Sequence, residues 1–157
     1  MADISYLSQE GFDRLNAELD DLKTRGRREA AKAIAEAREK GDLSENAEYH
    51  AAKDDQGHLE RKINEREKAL VNARVLDPSQ LDLSMASVLT KVTIKNLKIG
   101  KEVTYQLVAE SEADIKARKI SVSSPIGKGL LGKKVGEIAE IQTPGGVMQF
   151  EIISISL

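Results

Sequence analysis

Apolar side chains at Phe12, Leu15, Leu19 and Leu22 recur at intervals of three and four, which is the spacing of one stripe along a helix. Ala30, Ala33, Ile34 and Ala37 continue the stripe with smaller residues. A second helical pattern starts near Leu43. It is polar and alanine-rich as far as His58, with Ala47, Ala51 and Ala52 as small apolar positions. Leu59, Ile63, Leu70 and Ala73 then follow at heptad-like spacing, with Arg66 between Ile63 and Leu70. Ala and Glu dominate both stretches and favour helix by propensity. No proline precedes Pro78, so nothing forces a break in either helix.

The two patterns are separated only by Lys40-Gly41-Asp42-Leu43-Ser44-Glu45-Asn46, a connection so short that the helices must be antiparallel neighbours. Folding the stripes about this turn brings Leu22 near Ile63, Leu15 near Leu70 and Phe12 near Ala73. Each helix has roughly 30 residues, so the predicted hairpin reaches about 45 Å at ~1.5 Å per residue. Its base carries the large apolar residues. Its distal half is held by alanines, which bury little area and contribute little stability.

Around Asp77-Pro78-Ser79 the helical pattern stops. From Ser87 the chain alternates with a period of two, placing Val88, Thr90, Val92 and Ile94 on one face of a strand. Val103, Tyr105 and Leu107 predict a second strand, Ile120 and Val122 a third, Val135, Ile138 and Ile141 a fourth. Met148, Phe150, Ile152 and Ile155 predict the last. Thr143-Pro144-Gly145-Gly146 is a turn between the last two, and Ser124 to Gly132 reads as a loop followed by a short helix. The expected fold class is α+β: an antiparallel helical hairpin over 1–77, a linker over 78–86, and a small, mostly antiparallel sheet with one short helix over 87–157.

Charge sharpens this division. The chain has 24 basic and 26 acidic residues, which argues against bulk electrostatic wrapping of nucleic acid. Residues 1–77 carry a net −4 and residues 78–157 a net +2. Without cysteine there is no disulfide framework, thiol nucleophile or Cys-ligated zinc. No apolar run is long enough to span a membrane and no signal-peptide core is present, so a soluble cytoplasmic protein without a membrane partner is expected, as a monomer.

The candidate chemistry lies in the turn. Asp42 followed three residues later by Glu45 has the form of a capping box, with Asp42 as N-cap of the second helix and Gly41 as the C′ residue closing the first. The same carboxylates are candidate metal ligands or proton acceptors. Two carboxylates do not hold Mg²⁺ alone, since the ion takes six oxygens and keeps several waters, so such a tip would complete a site supplied by another molecule. The two readings are compatible, because a cap fixes the turn that presents the acids. His50 and His58 have no partners in the sequence that argue for a metal site.

The run Ala33-Ile34-Ala35-Glu36-Ala37-Arg38-Glu39-Lys40-Gly41-Asp42-Leu43-Ser44-Glu45-Asn46-Ala47-Glu48-Tyr49-His50-Ala51-Ala52-Lys53 resembles the signature of bacterial Gre transcript-cleavage factors. Ile120 to Gly132, with Ser124-Pro125-Ile126, and Thr143-Pro144-Gly145-Gly146 also match, so the resemblance covers nearly the whole chain in order. It implies a second domain of FK506-binding-protein type. It also implies a factor that is not itself an enzyme. Its arm would enter the secondary channel of bacterial RNA polymerase and stimulate the polymerase's own cleavage of backtracked RNA. By that resemblance Asp42 and Glu45 are the acids that help hold a second Mg²⁺ and its nucleophilic water. The ion is shared with the polymerase, and no cofactor is expected in the free protein. Ser44, between the acids, is expected to bond a metal water or to help cap the helix.

The resemblance further places Arg38 and Lys53 in a basic patch that contacts the RNA 3′ segment, with phosphate contact rather than base reading. Read as residues alone they are a solvated helix face, with Arg38 in i+4 reach of Asp42. Lys32, Arg27 and Arg28 are weaker candidates, and Tyr49 either stacks on a base or packs on Leu43. Ser121, Ser124, Pro125 and Ile126 are the candidate polymerase-docking residues; alternatively Pro125 and Gly127 merely shape a loop. A peptidyl-prolyl isomerase is the rival suggested by the fold, but the second domain offers only Tyr105 and Phe150 as aromatics for the pocket such a site needs. A channel-blocking inhibitor and a non-catalytic coiled-coil adaptor complete the alternatives. The cleavage-factor tip sequence disfavours the inhibitor, and dependence on the tip acids would separate cleavage from the adaptor.

Overall fold

The computed structural model of the protein describes residues 4–42 and 45–157. The chain divides into two compact units. One holds Phe12–Ala73, and the other holds Arg74–Leu157 with the described residues that precede Phe12.

The first unit is the helical hairpin. Its outgoing leg runs from α1 (Gln9–Asp21) through a π-helical turn at Leu22–Gly26 into α2 (Arg27–Arg38), and it returns through α3 (Ala47–Val71). Leu15, Leu19, Ile34 and Ala37 are buried on the outgoing leg, and Ala52 and Ile63 on the return. These are the predicted stripes. Gly26 faces Leu59 in the register the sequence arithmetic gives, and ion pairs join the legs at Glu18 with Arg66 at 3.6 Å, Lys23 with Glu67 at 3.0 Å and Arg27 with Glu60 at 3.0 Å.

The π-helical turn is not predicted by the periodicity. In it the Arg27 N–H reaches back five residues to the Leu22 carbonyl, so one extra residue is held within the leg. Gly26 sits there with its Cα side turned to Leu59, whose side chain would lie 3.1 Å from an added Cβ. A slender contact between the legs is the reason this position is small.

The second unit is a five-stranded sheet in the order β5-β4-β3-β7-β6, comprising β3 (Lys91–Asn96), β4 (Glu102–Val108), β5 (Lys119–Ser121), β6 (Ile138–Thr143) and β7 (Gly146–Ser156). All pairings are antiparallel except β4 with β5, so the expected mostly antiparallel sheet is mixed at one edge. Helix α4 (Pro125–Leu130) packs on one face over Val92, Ile94, Leu107, Ile141, Phe150 and Ile152. Two short strands unseen in the sequence, β1 (Ser5–Leu7) and β2 (Ala73–Val75), pair with each other at the ends of the hairpin.

Three strand expectations are corrected. The first strand starts at Lys91, not near Ser87, because Leu89 adopts a left-handed backbone at φ 74° and Thr90 turns its hydroxyl to the Ser87 carbonyl at 2.7 Å. In β6 the inward residues are Ala139 and Ile141, while Val135 and Ile138 are exposed, since a strand repeats every two residues and Ile138 falls on the opposite face from Ile141. In β7 the step of three from Ile152 to Ile155 breaks strict alternation. A β-bulge opposite Thr93/Ile94 absorbs the extra residue, so that both side chains pack on the same core.

Ser8 and Glu112 tie the start of the chain to this unit. The buried Glu112 carboxylate accepts from the Ser8 N–H at 3.0 Å and from the Ser8 hydroxyl. A side chain at Gly11 would collide with that carboxyl group.

Candidate functional site

The hairpin tip is built by an asparagine. Asn46, with an extended backbone, accepts the Tyr49 N–H on its Oδ1 at 3.0 Å and so caps α3. Its Nδ2 donates across the turn to the Ala37 carbonyl at 2.5 Å, which locks the end of one leg to the start of the other. This corrects the capping assignment: Asn46, not Asp42, is the N-cap, and Glu45 precedes the helix. One amide side chain serves both as acceptor and as donor here, which a carboxylate does not do. Helix α2 ends at Arg38 with Glu39 as its C-cap, and Gly41, two residues further on, carries the φ of +145° that turns the chain.

Asp42 and Glu45 are both solvent-exposed in this turn. With Lys40, Asn46 and Glu48 they line a shallow open depression. Lys40 and Glu48 close its side with an ion pair at 2.8 Å, and the hydrogen bond that Lys40 donates to the Glu48 carboxylate raises the Lys40 pKa above its ordinary value. Ser44 lies outside the described residues, as does Leu43. Among the described residues no group of three or more His, Asp or Glu side chains is placed to hold a metal ion.

The candidate RNA-contact residues are on the two legs just below the tip. The Arg38 guanidinium lies over the Tyr49 ring, 5.7 Å from its centroid, which holds it on the arm surface as a cation–π pair. Tyr49 also meets His50 edge to face at 5.7 Å. Lys53 bonds Gln56 at 3.1 Å and keeps its charge outward. Of the weaker candidates, Lys32 is 3.9 Å from Glu36, and Arg27 is engaged by both carboxylate oxygens of Glu60.

Two sequence profiles cover the chain almost end to end. The profile described as "Transcription elongation factor, N-terminal" matches residues 5–75, and "Transcription elongation factor, GreA/GreB, C-term" matches residues 82–157. The chain belongs to the GreA/GreB family of transcription elongation factors. It is 58% identical over 156 residues to the transcription elongation factor GreA of Flavobacterium psychrophilum, covering 99% of each chain. To that of Thermosipho africanus it is 47% identical, covering 97% of this chain and 96% of the other. A solved structure of GreA factor homolog 1 from Thermus thermophilus is 28% identical, with a TM-score of 0.44 over 99% of this chain and 100% of that one. The Gre resemblance carried by the tip motif is thereby borne out, and transcription elongation is the class of function.

The GreA/GreB-type C-terminal unit places all four candidate docking residues along one open apolar groove of about 380 Å³, which Ile115 and Pro144 complete. They do not present themselves equally. Ser121 is buried, and its carbonyl accepts the Ser124 hydroxyl at 2.6 Å. Ser124 is the N-cap of α4, accepting the Gly127 N–H at 3.0 Å. Pro125 is exposed and Ile126 half-buried, so the apolar contact surface falls to these two. Sequence reasoning missed Ile115, which is 83% exposed, the most of any large apolar residue described. An isolated isoleucine in a polar stretch, Asp114-Ile115-Lys116, was the signal that could have found it.

Proposed function

We propose that this factor relieves backtracked transcription complexes by carrying Asp42 and Glu45 into the secondary channel of bacterial RNA polymerase. There they complete a Mg²⁺ site and stimulate cleavage of the extruded RNA by the polymerase. The observation that carries this reading is the tip: two exposed carboxylates in a turn that Asn46 fixes at both ends.

The donor set fits a shared ion and not a private one. Two carboxylates supply two of the oxygens that Mg²⁺ requires, and the rest must come from the partner and from water. When bound, the ion supplies activation of water and charge neutralisation at a phosphodiester. The chain's own contribution is placement. The Asn46 tie joins the ends of the two legs beneath the turn that carries the acids.

Arg38 and Lys53, on the legs beneath, are suited to phosphates of the RNA 3′ segment. Arg38 offers its guanidinium edges while Tyr49 supports its face. Pro125 and Ile126 in the apolar groove serve docking at the channel rim. The factor acts as a monomer in the cytoplasm, where the polymerase works, and the bond-breaking step belongs to the polymerase.

The test is RNA cleavage in backtracked bacterial elongation complexes with Mg²⁺. Asp42→Ala and Glu45→Ala should each lower cleavage by about 100-fold, the upper range for losing a group that supports a metal, while binding to the polymerase stays nearly unchanged. Intact protein that slows elongation without releasing short 3′ fragments would mark a channel-blocking inhibitor. Cleavage indifferent to both acids would remove the tip from the mechanism.

A further inference from the structure

The face of the sheet opposite α4 carries charge in rows, because register partners on neighbouring strands stand side by side. In one row Lys95 of β3 is flanked by Glu102 of β4 and Glu151 of β7. Its charge is answered on both sides. In the next row but one, toward the other end of the sheet, Lys119 of β5, Gln106 of β4, Lys91 of β3 and Ser156 of β7 are partners. This row holds two lysines and no acidic side chain.

Lys91 and Lys119 are two strands apart, about 10 Å at the usual strand spacing. Arg118, which leads into β5, adds a third cation, and Lys91, Thr104, Gln106, Ala117, Arg118 and Lys119 surround one shallow concavity of about 310 Å³. The neutral groups within it are tied down. The Gln106 amide donates to the Leu89 carbonyl at 3.1 Å, and the Thr104 hydroxyl is 2.7 Å from that of Thr93. Of the acids nearest in sequence, Glu102 is the register partner of Lys95, and Asp114 turns its carboxylate to the Lys116 N–H at 3.1 Å. Arg118 stands in a left-handed backbone, φ 58° and ψ 37°, which glycine adopts without penalty.

We infer that this concavity binds the phosphates of a nucleic-acid backbone. Three cations interleaved with hydroxyl and amide groups are the side chains that contact phosphate and sugar without reading bases. A protein-docking patch of the same size would carry an apolar or aromatic centre, and this row has none. The near-neutral charge of the whole chain does not oppose it, because three cations stand together at one end of one sheet face. The site is separate from Arg38 and Lys53 on the arm.

The test is fluorescence anisotropy of the full-length protein with a labelled 12-base-pair duplex DNA and a 12-nucleotide RNA across a range of salt. The variant combines Lys91→Gln, Lys119→Gln and Arg118→Gly, the last chosen because glycine suits that backbone. Binding should weaken by about tenfold or more, and the slope of log K against log salt should flatten by about 2 to 3, roughly one unit for each phosphate that the variant no longer neutralises. Lys95→Gln should leave both unchanged, and Arg38→Ala with Lys53→Ala should leave the sheet-dependent part of the slope. Amide NMR shifts on adding duplex or RNA should centre on Lys91, Thr104, Gln106 and Lys119, and whichever strand form gives them identifies the ligand. Unaltered binding and slope in the triple variant, or loss of all binding with the arm variants alone, would overturn the site. So would capture of oligo-glutamate in preference to both oligonucleotides, which would mark an acidic protein segment as the occupant.

Discussion

The hairpin and the sheet unit use opposite means to hold their shape. In the sheet unit Val92, Ile94, Leu107 and Leu130 are fully buried in one continuous core, a close-packed interior around which every strand is ordered. In the arm, among the described residues, only Ile63 is buried to 2%, and the rest of the seam is small or partly wet. Ion pairs at Arg27–Glu60, Lys23–Glu67 and Glu18–Arg66 link the legs, all on the surface, where each contributes little. The comparison teaches that the two regions divide burial between them. On the proposed function, a core-rich unit would suit docking, and a thin arm would give up core to fit a narrow passage.

The largest expected effect that would break this comparison comes from truncating one buried isoleucine in each region. Ile94→Ala should cost about 3–4 kcal/mol and Ile63→Ala about 2–3 kcal/mol, since a cavity in a dense core relaxes less than one in a two-helix seam. Hydrogen exchange followed separately in β3 and α3 would show whether each loss stays in its own unit. Equal acceleration in both units from either variant would mean that they unfold together. A smaller, local effect is expected from Asn46→Ala, which should cost about 1 kcal/mol at the helix start. Exchange at the Tyr49 amide should rise, and cleavage stimulation should fall by less than it does for Asp42→Ala.

The smallest effect sharpens the point about surface pairs. Arg27 hydrogen-bonds Glu60 and lowers its pKa, and Glu60 in turn raises that of Arg27. A lowered carboxylate pKa stabilises the fold above the usual glutamate range, and this is lost as pH falls through the folded value. The urea midpoint of the protein should therefore exceed that of Glu60→Gln slightly at neutral pH. The gap should close below about pH 4 and shrink with added salt. A gap that persisted in acid would assign the effect to packing of the side chains instead of to charge.

Much of this was legible in the sequence, because the readable features are periodic and local. The stripes from Phe12 to Ala37 and from Leu59 to Ala73 gave the hairpin and its register, and the Thr143–Gly146 turn gave the last two strands. The tip motif located Asp42 and Glu45 without structural help. What escaped depends on contacts across space. The preference of Asn46 over Asp42 as cap rests on a bond to Ala37 on the other leg. The β-bulge opposite Thr93 and Ile94, the parallel pairing of β5 and the burial of Glu112 against Ser8 likewise join residues far apart in sequence, which no local pattern reports.

The extra residue in the Leu22–Gly26 turn has a consequence for the azimuth of the tip. Leu19 and Ile34 are both buried, yet they are 15 residues apart, where two heptads would give 14. The wide turn takes up the odd residue, so the distal half of the leg keeps the same facing as the proximal half. A one-residue deletion inside this turn should restore an ordinary helix and leave the acids pointing as before. The same deletion in α2 would swing everything beyond it by about 100° around the arm's axis. The orientation of the acid pair is thus set about four turns below it, by a miscount that the leg retains.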